Sequence, residues 1–277
     1  MENQLSTKSS VDSHFHVFKA GKAVSGSRYS PDYAAPFSEW QSAARAIGVT
    51  HGVLVQTSFM GTDNDNLVKH LQKNPNTLRG VAVVAPTEGF WQLVDLNTQG
   101  VRGIRINLAG QSHDMAAWQA AKPLWDAVIQ LGWHVELHTD TGALPSVLAA
   151  IPLEIPVVID HFCRPEKASL DDETVQAVQS RVASSEPSTS AQVYVKLSAA
   201  YRLHADVEPS NLAKLWLGEL GPKALLWGSD WPCTNFEAKA YYADLCGELA
   251  DWLGHDAAAV QAARSANPMR LYWGLAV

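Results

Sequence analysis

The chain has 277 residues, 47% of them hydrophobic, and a formal net charge of −7. That apolar fraction is ample for a core, and the acidic balance excludes a basic nucleic-acid footprint. Residues 1–10 are a polar tail, expected to be flexible and without the apolar centre of a signal peptide. No apolar run is long enough to span a bilayer, and Cys163, Cys233 and Cys246 lack metal-ligand spacing, so a reduced, cytoplasmic setting is expected.

Val11 to Val17 reads as the first strand. It contains Asp12-Ser13-His14-Phe15-His16, and strand alternation puts His14 and His16 on one face with Asp12 one step below. A helical pattern over Phe37 to Ile47 follows, then a strand over Gly52 to Gln56 and a helix over Asp63 to Lys73. Gly80 to Val84 is the third strand, with a helix over Glu88 to Asn97. Val101 to Asn107 is the fourth, followed by one long helix from Met115 to Leu131. His134 to His138, Val157 to His161, Val193 to Ser198 and Leu225 to Asp230 complete the strands. Helices over Ala143 to Ile151, Leu170 to Ser184 and Asn211 to Leu220 separate them, and helical segments continue to the end. Ala183 to Ala191 is Ser-rich and reads as a loop.

Continuous apolar strands between amphipathic helices imply a parallel sheet. Eight such units match a (β/α)8 TIM-type barrel, here a single domain over 1–277. The rival is a doubly wound open sheet, weakened because no Gly-x-Gly-x-x-Gly follows the first strand.

Barrels of this kind react at the C-terminal ends of their strands. There the sequence places His14, His16, Arg105, Asn107, His138, His161, Arg164, Lys196, Ser198, Arg202 and Asp230. Singly, Asp230 could be a helix N-cap and His138 or His161 a core histidine. Jointly, four histidines and one aspartate at one mouth point to function, and converging arginines point to a bound anion. An ionised aspartate can take a proton from water, while imidazoles can polarise an ester carbonyl or hold a metal that does so. Glu136 shares the face of His138, and Lys196 is its expected buried partner, in a structural role.

The segments Val11 to Phe18, Arg28-Tyr-Ser-Pro31, Gly61-Thr-Asp-Asn64, Arg102-Gly-Ile-Arg-Ile-Asn107, Val158-Ile-Asp-His-Phe-Cys-Arg-Pro165, Val195-Lys-Leu-Ser198, Leu226-Trp-Gly-Ser-Asp-Trp-Pro232 and Asn267 to Trp273 resemble the amidohydrolase superfamily of amidohydrolase 2 type. Within it they are most similar to the branch of 2-pyrone-4,6-dicarboxylate lactonases. The resemblance implies a distorted (β/α)8 barrel that hydrolyses a carboxylate-bearing lactone, with Asp230 as general base and His14, His16 and His161 around the scissile carbonyl. It implies that Tyr29, Arg105, Arg164 and Arg202 hold substrate carboxylates, and that no divalent metal is required.

Two positions depart from that branch. His138 stands where it has a tyrosine and Gln111 where it has an arginine, so a site with less positive charge, suited to a sugar lactone or a muconolactone-type compound, is in view. His138, here counted with the substrate-binding residues, also opens a single Zn site of His14, His16, His138 and Asp230. Arg105 occupies the strand that carries a bridging lysine in binuclear members, and it disfavours a second cation. A Zn-dependent decarboxylase or hydrolase is the alternative function. A non-catalytic carboxylate-binding barrel ranks last, because both the His-x-His pair and the aspartate are present. The partner is thus an anionic small molecule, and the sequence does not set an oligomeric state.

Overall fold

In the computed structural model, residues 9–185, 192–239 and 242–275 are described. Residues 1–8 of the expected flexible tail and most of the Ser-rich loop lie outside them. Eight parallel strands pair in sequence order, β1 to β8. They are β1 (Val11–Phe15), β2 (His51–Val55), β3 (Leu78–Ala82), β4 (Val101–Asn107), β5 (His134–His138), β6 (Val157–Ile159), β7 (Val193–Leu197) and β8 (Leu225–Trp227). The sheet closes where His16 N donates to Trp231 O at 2.8 Å and Asp230 N donates to His14 O at 2.8 Å. This is the (β/α)8 barrel read from the strand count. Its register shifts between β1 and β2 and between β3 and β4.

Helices α1 (Phe37–Ala46), α2 (Asp65–Lys73), α3 (Phe90–Thr98), α4 (Ala116–Gln119), α5 (Lys122–Gln130), α6 (Leu144–Ala149), α7 (Glu173–Ser184), α8 (Pro209–Leu220), α9 (Tyr242–Trp252), α10 (Ala257–Gln261) and α11 (Asn267–Trp273) make up the rest. The single long helix expected over Met115 to Leu131 is two. Pro123, in the first turn of α5, cannot donate a backbone hydrogen bond and would clash with the carbonyl of residue 119, so the helix restarts there.

Alternation along each strand separates two cores. Ile104, Ile106, Val135, Leu137, Val157, Ile159, Val195 and Trp227 face the helices in the main cluster. Val11, Val53, Val81, Val158, Tyr194 and Leu226 pack with Met269 and Tyr272 of α11, which close the floor of the barrel. Each such fully buried aliphatic side chain stabilises the fold by ~1.5–3 kcal/mol. Above that floor the inward positions turn polar, with Arg105, Glu136 and Lys196 in one layer and the histidines over them, every one buried.

Candidate active site

β1 delivers His14 and His16 to the barrel axis, with their Nε2 atoms 3.2 Å apart. The His16 Nδ1–H donates to Val55 O at 2.8 Å, which leaves its Nε2 bare. Asp12 does not share this environment, although alternation predicts that it should. The register shift in β1 sends its carboxylate into the seam with β8, where it accepts from Trp40 Nε1, Ser229 N, Ser229 Oγ and Tyr242 OH at 2.7–2.9 Å.

Asp230 meets the two imidazoles from across that seam. Its Oδ1 lies 3.5 Å from His14 Nε2, 3.4 Å from His16 Nε2 and 3.9 Å from His161 Nε2. Its Oδ2 accepts from Tyr201 OH and Arg202 Nε, both at 2.8 Å. β8 ends at Trp227, short of the expected Asp230, and the chain passes so close to His14 that a Cβ on Gly228 would fall 2.5 Å from the His14 Cβ. Asp230 itself has φ 56°, a left-handed conformation that aims its carboxylate back at β1. Burial would raise its pKa, but Arg202 first, then His161, His16 and His14, hold it well below the usual aspartate range.

His161 reaches the site by a similar device. β6 stops at Ile159, and strand parity would send Asp160 inward instead of His161. His161, Phe162, Cys163 and Arg164 all have positive φ, between 45° and 66°, and this turn brings both Asp160 and His161 into the interior. Four non-glycine residues there cost about 1 kcal/mol or more each. Hydrogen bonds from Cys163 N to Asp160 O at 3.0 Å and from Trp216 Nε1 to Phe162 O at 3.0 Å help offset that cost. His161 Nδ1 pairs with Ser198 Oγ at 3.0 Å, and burial depresses its pKa to about 3.

Beneath the histidines lies a closed set of charges. Lys196 Nζ donates to Glu136 Oε2 at 2.5 Å and sits 3.4 Å from Asp160 Oδ1, and Arg105 donates to Asp160 Oδ2 through Nε at 3.2 Å and Nη2 at 2.8 Å. The Glu136–Lys196 partnership read from alternation is therefore present. Two anions balance two cations, as groups with no solvent exposure require. Burial favours the acid form of Asp160, yet His14, Lys196 and Arg105 more than reverse this, while burial and Asp160 push Glu136 up to about 7. His14 Nδ1 faces this set, 3.0 Å from Lys196 Nζ and 3.2 Å from Asp160 Oδ1. Burial and Lys196 keep His14 neutral, well below the usual histidine value.

The remaining candidates separate. Arg105, His138, Arg202 and Tyr29 line the mouth cavity together with His16, His161 and Asp230. Arg164 is not in that wall. It donates to Thr139 O and Arg202 O and ties the loops after β5 and β7 together. Tyr29 stands at the rim, its hydroxyl given to Glu237 at 2.7 Å beside Tyr33. His138 faces Arg105 Nη2 at 3.5 Å and the edge of His161, and does not join His14, His16 and Asp230 as a fourth ligand. Sequence reasoning missed Tyr201, Asp160 and Arg28. Parity would have found Asp160. Tyr201 and Arg28 sit in loops and carried no periodic signal.

Histidines gathered around one aspartate at the mouth of a (β/α)8 barrel define a hydrolase built on the His-x-His strand. The family model described as Amidohydrolase matches residues 11–273, and the chain belongs to that family. It is 29% identical over 283 residues to the 2-pyrone-4,6-dicarboxylate hydrolase of Comamonas testosteroni, covering 95% of this chain and 90% of that protein. It is 28% identical over 241 residues to the 4-sulfomuconolactone hydrolase of Rhizobium radiobacter, covering 83% and 77%. A Pseudomonas putida structure, provisionally described as a 2-pyrone-4,6-dicarboxylic acid hydrolase, superposes with a TM-score of 0.82 at 33% identity, over 98% of this chain and 99% of that one. Among the described residues no helix is long and apolar enough to cross a membrane.

Members of this family often hold a metal, and the donor set here fits one cation. His14 Nε2, His16 Nε2 and Asp230 Oδ1 form a triangle with sides of 3.2, 3.5 and 3.4 Å. A tetrahedron of ligands around zinc has edges of ~3.3 Å. Val55 O already sets the required tautomer of His16, and Asp160 can accept the Nδ1–H of His14 to set the other.

Proposed function

We propose that the chain opens the ring of a small acid-bearing lactone by adding water to its carbonyl. The observation that carries this reading is the split role of Asp230. One oxygen is tied by Tyr201 and Arg202, and the other is left facing three imidazole nitrogens at a cavity wall. The two curated relatives are both named as hydrolases, of a pyrone dicarboxylate and of a sulfomuconolactone.

Asp230 Oδ1 takes a proton from water as the water oxygen bonds to the lactone carbonyl carbon. The carbonyl oxygen becomes an oxyanion, which needs N–H donors. His14 supplies one when Lys196 donates to its Nδ1, since Nε2 then carries the hydrogen. His161 supplies another when Ser198 donates to its Nδ1. His16, with its hydrogen on Val55 O, accepts instead of donating, so it orients the water. The ring C–O bond then breaks, and Asp230 returns its proton to the leaving oxygen. A divalent cation held by His14, His16 and Asp230 would lower the pKa of water and polarise the carbonyl there.

A carboxylate as acidic as Asp230 is a weak base. Arg202 is the largest influence holding it so, and it borders the cavity. A substrate acid group that draws Arg202 away raises the basicity of Asp230 as the site fills.

Chelator-treated and zinc-loaded protein should be assayed against aromatic-derived, sugar-derived and muconolactone-type lactones. At least one acid-bearing lactone should open, and Asp230→Asn should lower kcat by about a thousandfold with the fold retained by circular dichroism. A folded Asp230→Asn variant of near-normal activity would exclude the mechanism. A panel that neither form of the protein opens would exclude the function.

A further inference from the structure

Three arginines line the mouth cavity, namely Arg28, Arg105 and Arg202. Arg105 is neutralised by Asp160 and Arg202 by Asp230, each at 2.8 Å, and both acids are almost wholly buried. Arg28 differs. It comes from the loop between β1 and α1, its side chain is exposed, and no carboxylate among the described residues lies within ion-pair distance of it.

The opposite loop is shaped to receive it. Gly110 follows β4 with φ +69°, and a Cβ there would fall 2.2 Å from Arg28 Nη1 and 2.9 Å from its Cδ. Gly110 is itself held in place, because its N–H donates to both Asp140 oxygens at 2.9 Å. Any other residue at this position would push the guanidinium away and strain the backbone. Arg28 also stands where two cavities meet. With Tyr29, Ser58 and Phe59 it belongs both to the wall of the inner cavity and to that of an outer cleft running past Gln111.

We propose that Arg28 is the specificity-determining anion receptor, binding one carboxylate or sulfonate on the outer end of the substrate, away from the scissile carbonyl. Arg105 and Arg202 can meet a substrate acid only by leaving Asp160 or Asp230, and the cleft holds Gln111, so the single guanidinium at the junction without a carboxylate partner favours one distal acid group. This rests on the lactone-hydrolase reading above. Paired, charge-assisted hydrogen bonds from a guanidinium to such a group contribute strongly and select for it.

The test compares Arg28→Gln and Arg28→Lys with the parent enzyme on three muconolactone-type probes, bearing a free carboxylate, its methyl ester, or a sulfonate. The preference for acid over ester, read as the ratio of kcat/KM values, should fall about ten- to a hundredfold in Arg28→Gln, through KM. Arg28→Lys should restore part of it, and the sulfonate tells whether one kind of acid is favoured. A ratio unchanged in Arg28→Gln overturns the inference while leaving the lactonase reading intact. If the parent opens no probe, calorimetric binding of the same probes to parent and Arg28→Gln protein decides. Equal affinities for acid and ester in both proteins overturn the inference, and an acid preference present only in the parent supports it.

Discussion

Arg202 Nε donates to Oδ2 of Asp230 across 2.8 Å, and the residue before it, Tyr201, donates its hydroxyl to the same oxygen. Burial and Asp230 push the Tyr201 phenol up, so it remains a donor. Asp230, held well below the usual aspartate range, is therefore ionised at every pH above about 4. The acid limb of kcat/KM should lie below that value. Arg202→Gln removes the strongest influence lowering Asp230, so its acid limb should move up, and kcat/KM should fall. The pH profiles of parent and variant check this. A limb that stays in place would assign it to another group.

Stability should fall on acidification in two stages. Burial lowers His161 and His134 to about 3, and lowers His14 and His138 as well. Below pH ~6.5 the unfolded chain takes up protons that these buried imidazoles refuse, at ~1.4 kcal/mol per pH unit for each histidine. Asp230 and Asp160, whose folded pKa values are depressed, add stability above about 4 that is lost as the pH falls further. Both sets act in the same direction, and Glu136, whose raised pKa makes the folded protein take up a proton below about pH 7, opposes them with one group against four. Urea midpoints measured from pH 8 down to 4 should therefore decline from near pH 6.5. His134→Gln, at the floor of the barrel beside Tyr272, should flatten the first stage. An unchanged midpoint between pH 7 and 5 would contradict this.

Lys196, Glu136, Asp160 and Arg105 form one neutral set with no solvent contact beyond the 3% exposure of Arg105. Lys196→Met leaves two carboxylates sharing one cation and should cost about 3–5 kcal/mol. Combining it with Glu136→Leu restores charge balance and should recover much of the loss. Urea denaturation of the four proteins in the cycle measures the coupling. Additive effects would show that the two groups do not act as a pair.

Strand parity alone makes most of this site legible in the sequence. Glu136, His138 and Lys196 lie where alternation along β5 and β7 sends them, because those strands pair without a register shift, while His14 with His16 and Arg105 with Asn107 keep a common face beyond the shifts in β1 and β4. Parity stops being a guide where the backbone leaves that regime, even though His161 is found at the mouth where the sequence reading places it. The positive-φ turn after β6 redirects His161, and the register shift in β1 takes Asp12 out of the histidine layer. Neither a left-handed run of non-glycine residues nor a shift between neighbouring strands has a signature in hydrophobic period. Arg164 shows the other limit. A basic residue just past a strand can face the cavity or brace the loops, and carbonyl acceptors at Thr139 and Arg202 decide for the second.

Asp12 links the barrel's closure to its chemistry. Its two oxygens accept from Trp40 on α1, Tyr242 on α9, and the backbone and hydroxyl of Ser229, with a longer bond from His14 N at 3.2 Å. Every partner is a donor, so the site suits an acceptor-only group. In Asp12→Asn one oxygen becomes an NH2 facing donors, which should cost about 2–3 kcal/mol. Ser229 Oγ also accepts from Trp231 N at 3.0 Å, so it holds both flanks of Asp230. Loosening Ser229 should misplace the Asp230 carboxylate against His14 and His16. Asp12→Asn is thus expected to lower kcat as well as the urea midpoint, whereas Trp40→Phe, which removes one donor far from Asp230, should lower the midpoint alone. Equal losses of kcat in both variants would mean that Asp12 acts only through overall stability.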